Sequence, residues 1–183
     1  MGKKILVLNG SPRANGNTET LADAFIAGAK KAGHEVAKFD LQRMQIGYCL
    51  GCCKCVEKKG SPCIQKDDMD KIYPAFEAAD VVVFASPLYF WGFSAQTKTA
   101  LDRIFASIAA SGMKAGSKGS VLLIAAEDKT EENFRPMVDY YGAVTKNLGW
   151  KDLGMLLAGG LYRVGDIEGT KFQEEAEALG ASF

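Results

Sequence analysis

The stretch Lys4-Ile5-Leu6-Val7-Leu8-Asn9-Gly10-Ser11-Pro12-Arg13-Ala14-Asn15-Gly16-Asn17-Thr18 decides the fold. Its opening, Lys4 to Asn9, is a short apolar run rich in branched side chains and lacks polar alternation. That predicts a strand buried on both faces. Gly10-Ser11-Pro12 then breaks it with a turn. From Thr18 to Ala32 the apolar residues Leu21, Ala24, Phe25, Ala29 and Ala32 follow a helical period, which Gly33 ends. A buried strand, a tight turn and a helix follow one another without a spacer.

Outward from this unit the same alternation continues. Glu35 to Leu41, Val81 to Ala85, Val121 to Ala126 and Met155 to Ala158 read as further strands. Asp67-Asp68-Met69-Asp70 is an acidic first turn for a helix running towards Ala79, which Pro74 should bend or divide. Ser94 caps a helix expected to turn Ala95, Leu101, Ile104, Phe105 and Ile108 inward. Gly112 to Gly119 reads as a flexible connection, Glu131 to Leu148 as a long helix, and the tail from Gly169 as a short one. Tyr48 to Cys63 has no period and reads as an inserted loop. The β-α alternation implies a mainly parallel sheet with helices on both faces, in one α/β domain over residues 1–183. Five strands favour a flavodoxin-like three-layer sandwich, strand order 2-1-3-4-5, over a six-stranded dinucleotide fold.

Composition narrows the class of function. The 183 residues carry 22 Lys plus Arg against 22 Asp plus Glu, so no electrostatic footprint for nucleic acid or a membrane surface exists. No apolar run approaches the roughly 20 residues of a membrane span. The basic-then-apolar start is too short for a signal peptide, which points to a cytoplasmic protein. Five cysteines crowd between Cys49 and Cys63, unlike a disulfide framework, and in a reducing compartment such clustering suggests a metal or a cluster.

The turn after the first strand is where a doubly wound sheet binds ligands. A helix N-terminus offers unpaired N–H groups and a positive dipole end. Ser11 and Thr18 add hydroxyls, Asn17 an amide and Arg13 a permanent charge. This donor set suits a phosphomonoester, with about −1.5 to −2 charges, better than a pyrophosphate diester. The G-x-G-x-x-G dinucleotide pattern is absent, although Asp40 ends the second strand where a ribose-binding acid would sit. The G-x-x-x-x-G-K-[ST] pattern fails as well, with Asn15 at its second glycine and no lysine before Thr18. An ordinary turn built from Asn, Ser and Gly is the plain alternative. After the third strand, Ser86-Pro87-Leu88-Tyr89-Phe90-Trp91-Gly92-Phe93 supplies aromatic area for a flat ring. Residues 87–90 are the expected ring contacts, while for Trp91 and Phe93 core, subunit interface and ring contact all stay open.

These segments carry a resemblance. Gly10-Ser-Pro-Arg13 with Gly16-Asn-Thr18, the Ser86-to-Phe90 loop, Ser94-Ala-Gln-x-Lys98 and Leu101-Asp-Arg103 together resemble the NADPH-dependent FMN reductase superfamily, most nearly its iron–sulfur flavoprotein branch. The resemblance implies FMN as prosthetic group, hydride from NAD(P)H, an unknown electron acceptor, and a homodimer or homotetramer. By position it implies that Ser11, Arg13, Asn17 and Thr18 hold the phosphate and that Pro87, Leu88, Tyr89 and Phe90 border the isoalloxazine. Ala126 to Lys129 would close the pyrimidine side. No side chain is expected to act as acid or base, because the cofactor performs the chemistry. The lone histidine, His34, reads as a solvated residue after the first helix, and a Ser-His-Asp hydrolase finds no support.

Cys49, Cys52 and Cys55 are separated by two residues each, which suits a tight loop around one face of a cubane. Cys63 can return as the fourth ligand, leaving Cys53 spare, and the resemblance implies a 4Fe-4S cluster on Cys49, Cys52, Cys55 and Cys63. Structural zinc and reduced or disulfide-forming thiols remain alternatives at this point. An electron carrier without nicotinamide activity and a flavin and zinc redox sensor are the corresponding alternatives for function.

Overall fold

Five apolar runs become the strands of one sheet: β1 (Lys4–Asn9), β2 (Glu35–Asp40), β3 (Val81–Pro87), β4 (Gly119–Ala125) and β5 (Lys151–Ala158). The structure, a computed structural model, describes residues 2–57 and 62–183. All neighbouring strands run parallel, in the order β2-β1-β3-β4-β5. This is the predicted flavodoxin-like order. The helices are α1 (Asn17–Lys31), α2 (Lys54–Glu57), α3 (Met69–Ala78), α4 (Ala95–Ala110), α5 (Glu131–Leu148) and α6 (Lys171–Gly180).

Successive side chains of a strand point to opposite faces, so each central strand feeds two cores. Ile5 and Val7 of β1, with Val81 and Val83 of β3, meet Leu21, Phe25 and Ala29 of α1 and Ala176 of α6. Leu6, Leu8, Val82 and Phe84 face the other way, onto Ile72 and Phe76 of α3, Ile104 of α4 and Met137 and Tyr141 of α5. The first face needs close helix contact: a Cβ on Gly28 would stand 1.9 Å from the Glu177 carbonyl oxygen. Glycine lets α6 lie directly on α1.

Several expectations change. Pro74 does not divide its helix, and α3 runs unbroken through it from Met69 to Ala78. Ala95 is exposed and Phe105 is 41% exposed rather than inward, since Phe105 lies on the face of α4 that lines the cysteine cavity while Ile104 and Ile108 face the core. His34 is buried, not solvated. Its Nδ1 accepts the Lys3 N–H at 3.1 Å and its ring stacks on Phe183 near the chain end. The cysteine segment also carries the single turn α2, while residues 58–61 of that loop lie outside the described residues.

Candidate functional site

Asn9 ends β1 and shapes the loop that leaves it. Its Nδ2 donates to Asp40 at 2.9 Å, tying the carboxyl ends of β1 and β2, and its Oδ1 accepts the Ser11 N–H at 3.2 Å. Ser11 Oγ then accepts the Arg13 N–H at 3.2 Å, and the Gly16 N–H returns to the Arg13 carbonyl at 3.3 Å. Gly10 is required here. A Cβ at that position would fall 1.8 Å from Thr97 Oγ1 and 2.6 Å from Ser94 Oγ. Ser94 caps α4 by accepting from the Thr97 N–H at 3.3 Å and donates to the Gly10 carbonyl at 2.8 Å, so the helix after β3 holds the loop after β1.

The loop closes on a helix start that no side chain caps. Gly16 is the N-cap of α1 and provides no side-chain acceptor, although Asn17 and Thr18 are buried. A buried helix N-terminus without a side-chain cap presents N–H groups and a positive dipole end that suit an anion. Ser11, Arg13, Gly16, Asn17 and Thr18 line a cavity of about 200 Å³ there. Pro87, Leu88 and Tyr89 of the loop after β3 form its other wall, with Ala126 and Glu127 after β4. The phosphate-type and ring-type residues therefore share one cleft beyond the carboxyl ends of the strands. The exception is Phe90, which lines an adjoining cavity of about 640 Å³ with Trp91 and residues 126–130.

Two side chains are used differently from the simplest reading. Asn17 lines the cavity, but its Nδ2 donates to the Arg163 carbonyl at 2.8 Å and its Oδ1 accepts the Ile167 N–H at 3.3 Å. Arg13 spans the opening, with Nη1 donating to the Tyr162 carbonyl at 2.7 Å. Sequence reasoning misses the segment after β5. Its one signal is Gly159-Gly160 ahead of Leu161-Tyr162-Arg163, a flexible dipeptide at the carboxyl end of a strand. Those residues bind back through Leu161 N–H to the Ala126 carbonyl at 2.8 Å and Gly160 N–H to the Glu127 carbonyl at 3.0 Å.

The aromatic segment forms a tight turn in which Tyr89 and Gly92 exchange both backbone hydrogen bonds, at 3.1 and 3.0 Å. Its two central residues, Phe90 and Trp91, have φ of 47° and 61°. That left-handed geometry normally selects Gly or Asn. Phe90 is 95% exposed, whereas Trp91 donates through Nε1 to Asn133 Oδ1 at 2.9 Å and is thereby fixed to α5. Phe93 belongs to the core, its ring 5.5 Å from that of Phe84 and 5.8 Å from that of Tyr140. The Asp128 carboxylate sits below its usual range, chiefly because the Thr130 N–H and hydroxyl donate to it.

All five cysteines line a second, small cavity against α4, together with Arg103 and Phe105. Burial pushes the Cys55 thiol up, and its next electrostatic neighbours, after its own backbone, are Cys63, Cys49 and Cys52. Cys53 instead turns its sulfur towards the Gly51 carbonyl at 3.7 Å. The enclosed space is about 30 Å³, roughly one water's share of liquid volume. A larger group therefore requires the exposed Cys49–Cys53 stretch to move outward. Zinc needs its thiolates about 2.3 Å from one point, and among the described residues no three ligating side chains are grouped to hold one ion.

A parallel 2-1-3-4-5 sheet with its cleft at the carboxyl edge, an uncapped helix start on one side and an aromatic loop on the other, defines a flavodoxin-like protein. The chain belongs to the NADPH-dependent FMN reductase family, whose sequence profile matches residues 3–148. It is 31% identical to an iron-sulfur flavoprotein of Archaeoglobus fulgidus, over 98% of this chain and 80% of that protein. It is 37% identical to the iron-sulfur flavoprotein MJ0731 of Methanocaldococcus jannaschii, over 58% of this chain and 52% of the relative. Among solved structures, the NAD(P)H:quinone oxidoreductase from Methanothermobacter marburgensis matches with a TM-score of 0.77 at 22% identity, covering 99% of this chain and 94% of that one. An FMN-dependent NADH-azoreductase from Bacillus anthracis, solved with FMN, gives 0.72 at 16% identity, covering 97% of each chain. At these identities the structures share the fold.

Proposed function

We propose that this flavin oxidoreductase binds FMN in the cleft between the loops after β1 and β3, accepts electrons from NAD(P)H, and passes them to an acceptor through a 4Fe-4S cluster on Cys49, Cys52, Cys55 and Cys63. The observation that carries the proposal is the buried, uncapped start of α1 facing the same cavity as Pro87, Leu88 and Tyr89. A phosphate satisfies the first-turn N–H groups, Ser11 and Thr18 supply hydroxyls, and Arg13 closes over the opening. Bound there, FMN supplies two-electron uptake from a nicotinamide and onward release. The protein orients its ring with the loop after β3 and excludes water with Leu88 and Tyr89. Phe90 faces the wider adjoining cavity, where a second flat molecule can approach.

The cysteine arrangement supports the cluster, since Cys49, Cys52, Cys55 and Cys63 line one cavity and the Cys53 sulfur is engaged by the Gly51 carbonyl. The apolar groove of about 540 Å³ between α4 and α5, beside Cys49, supports self-association. No helix among the described residues is long and apolar enough to cross a membrane.

Anaerobically purified protein with FMN and iron quantified tests both cofactors together. The expected result is one FMN per chain, iron near four per chain, and a broad absorbance near 400 nm beneath the flavin bands. Absence of iron removes the cluster and leaves the flavin reading standing. Stopped-flow mixing with millimolar NADH or NADPH should bleach the flavin. No bleaching by either would leave an electron carrier reduced by another protein.

A further inference from the structure

Two buried polar groups behind the cysteine loop have no hydrogen-bond partner among the described residues: Tyr73 Oη of α3 and Arg103 Nε of α4. Both residues are almost wholly buried, at 2% and 1% exposure. Leaving a buried donor unpaired costs about 1–3 kcal/mol, so such groups call for a reason. Arg103 is held so that it cannot turn to find another partner. Its Nη1 donates to Asp67 Oδ2 and to the Gly47 carbonyl, each at 2.6 Å, and its Nη2 donates to Asp67 Oδ1 at 3.1 Å. Asp67 is fixed in turn by the N–H groups of Gly47 and Met69, each at 3.0 Å. The guanidinium lies against the Tyr73 phenol, whose remaining electrostatic neighbour is the Cys63 thiol. Arg103 is also the only cation lining the cysteine cavity among the described residues.

We propose that Arg103 and Tyr73 form a donor relay to Cys63, in which Arg103 Nε–H donates to the Tyr73 oxygen and the Tyr73 hydroxyl donates to the Cys63 sulfur when that sulfur ligates an iron–sulfur cluster. The relay rests on the cluster reading of the cysteine loop. A neutral thiol is a weak acceptor, whereas a ligating thiolate is charged and accepts strongly. The relay therefore acquires its strongest final acceptor with the cluster in place. Hydrogen bonds to cluster sulfurs are among the terms that set its potential. A donor on Cys63 stabilises the more negative, reduced form and raises the potential.

Tyr73→Phe removes the hydroxyl and keeps the ring. In the anaerobically reconstituted holoprotein its cluster midpoint, read by redox titration with EPR detection, should fall. A roughly tenfold shift in the reduction equilibrium is expected, which for one electron is about 59 mV. Iron and acid-labile sulfide per chain should match the wild type. In the wild-type protein, transfer from H2O to D2O should shift an Fe–Cys stretching band in resonance Raman, and this measurement needs no variant to fold. A wild type without iron overturns the cluster reading and the relay with it. A wild type with a full cluster, but an unchanged midpoint in Tyr73→Phe or a D2O-insensitive spectrum, overturns the relay alone.

Discussion

On the proposed FMN binding, Arg13 brings the one permanent positive charge to the phosphate end of the cavity. Its guanidinium is solvent-facing and donates to the Tyr162 carbonyl, so it joins the loops after β1 and β5. With FMN bound as proposed, replacing it with Ala removes one charge-assisted hydrogen bond to the phosphate. FMN binding should weaken by about 1.5–3 kcal/mol, measured by the recovery of flavin fluorescence on titration. Unchanged affinity would assign the holding to backbone N–H groups and hydroxyls alone. Phe90 is the opposite kind of residue, because it carries strain and buries nothing. A bulky side chain in the left-handed region costs on the order of 1–2 kcal/mol, and such strain persists where function over-determines the geometry. Phe90→Gly should therefore stabilise the flavin-free protein by about 1 kcal/mol in urea unfolding. A destabilised variant would show that the ring packs on a surface of the folded protein after all.

At the scale of elements, the five strands and the long helices are legible because each is a run of one period between clear stops. Glu131 to Leu148 is legible to the residue. The Ser94 cap is legible too, but its bond to the Gly10 carbonyl is not. That bond joins residues 84 apart in the chain, and no local pattern encodes it. Periodicity misplaces Phe105 for a similar reason: it cannot show that a loop lies over the helix instead of the sheet. The Arg103–Asp67 pair, which fastens α4 to the start of α3, is hidden because a buried Arg looks the same in sequence as an exposed one. It has a measurable signature. Burial alone would raise the Asp67 carboxyl, but the Arg103 guanidinium and the Gly47 and Met69 N–H groups outweigh it and hold it below its ordinary value of 3.8. The folded state thus binds this proton less readily than the unfolded chain. The pair's contribution is complete well above pH 3.8 and disappears as pH falls through that value towards the folded one. Asp67→Asn should lose about 3–5 kcal/mol near pH 7 and flatten the acid limb of a urea-midpoint profile taken from pH 7 downwards. An acid limb as steep as the wild type's would assign that dependence to other carboxylates.

On the scale of the whole molecule, the cleft lies where the two cores meet. The loops after β1, β3, β4 and β5 reach it from the carboxyl edge of one sheet, and the helices they enter pack on different faces: α1 on one, α4 and α5 on the other. A ligand seated there contacts elements of both layers, and the unfolded chain offers no equivalent site. Binding only to the folded state stabilises it by mass action. At 100 times its dissociation constant, FMN should raise the unfolding free energy by about 2.7 kcal/mol, read from the shift in urea midpoint at constant slope. Riboflavin separates the two ends of the cleft, because it has the ring and lacks the phosphate. If the uncapped start of α1 holds the anion, riboflavin at the same concentration should give a much smaller shift. Inorganic phosphate should compete with FMN and leave riboflavin unaffected. Equal shifts from riboflavin and FMN would place the binding energy in the aromatic loop, leaving the α1 start uninvolved.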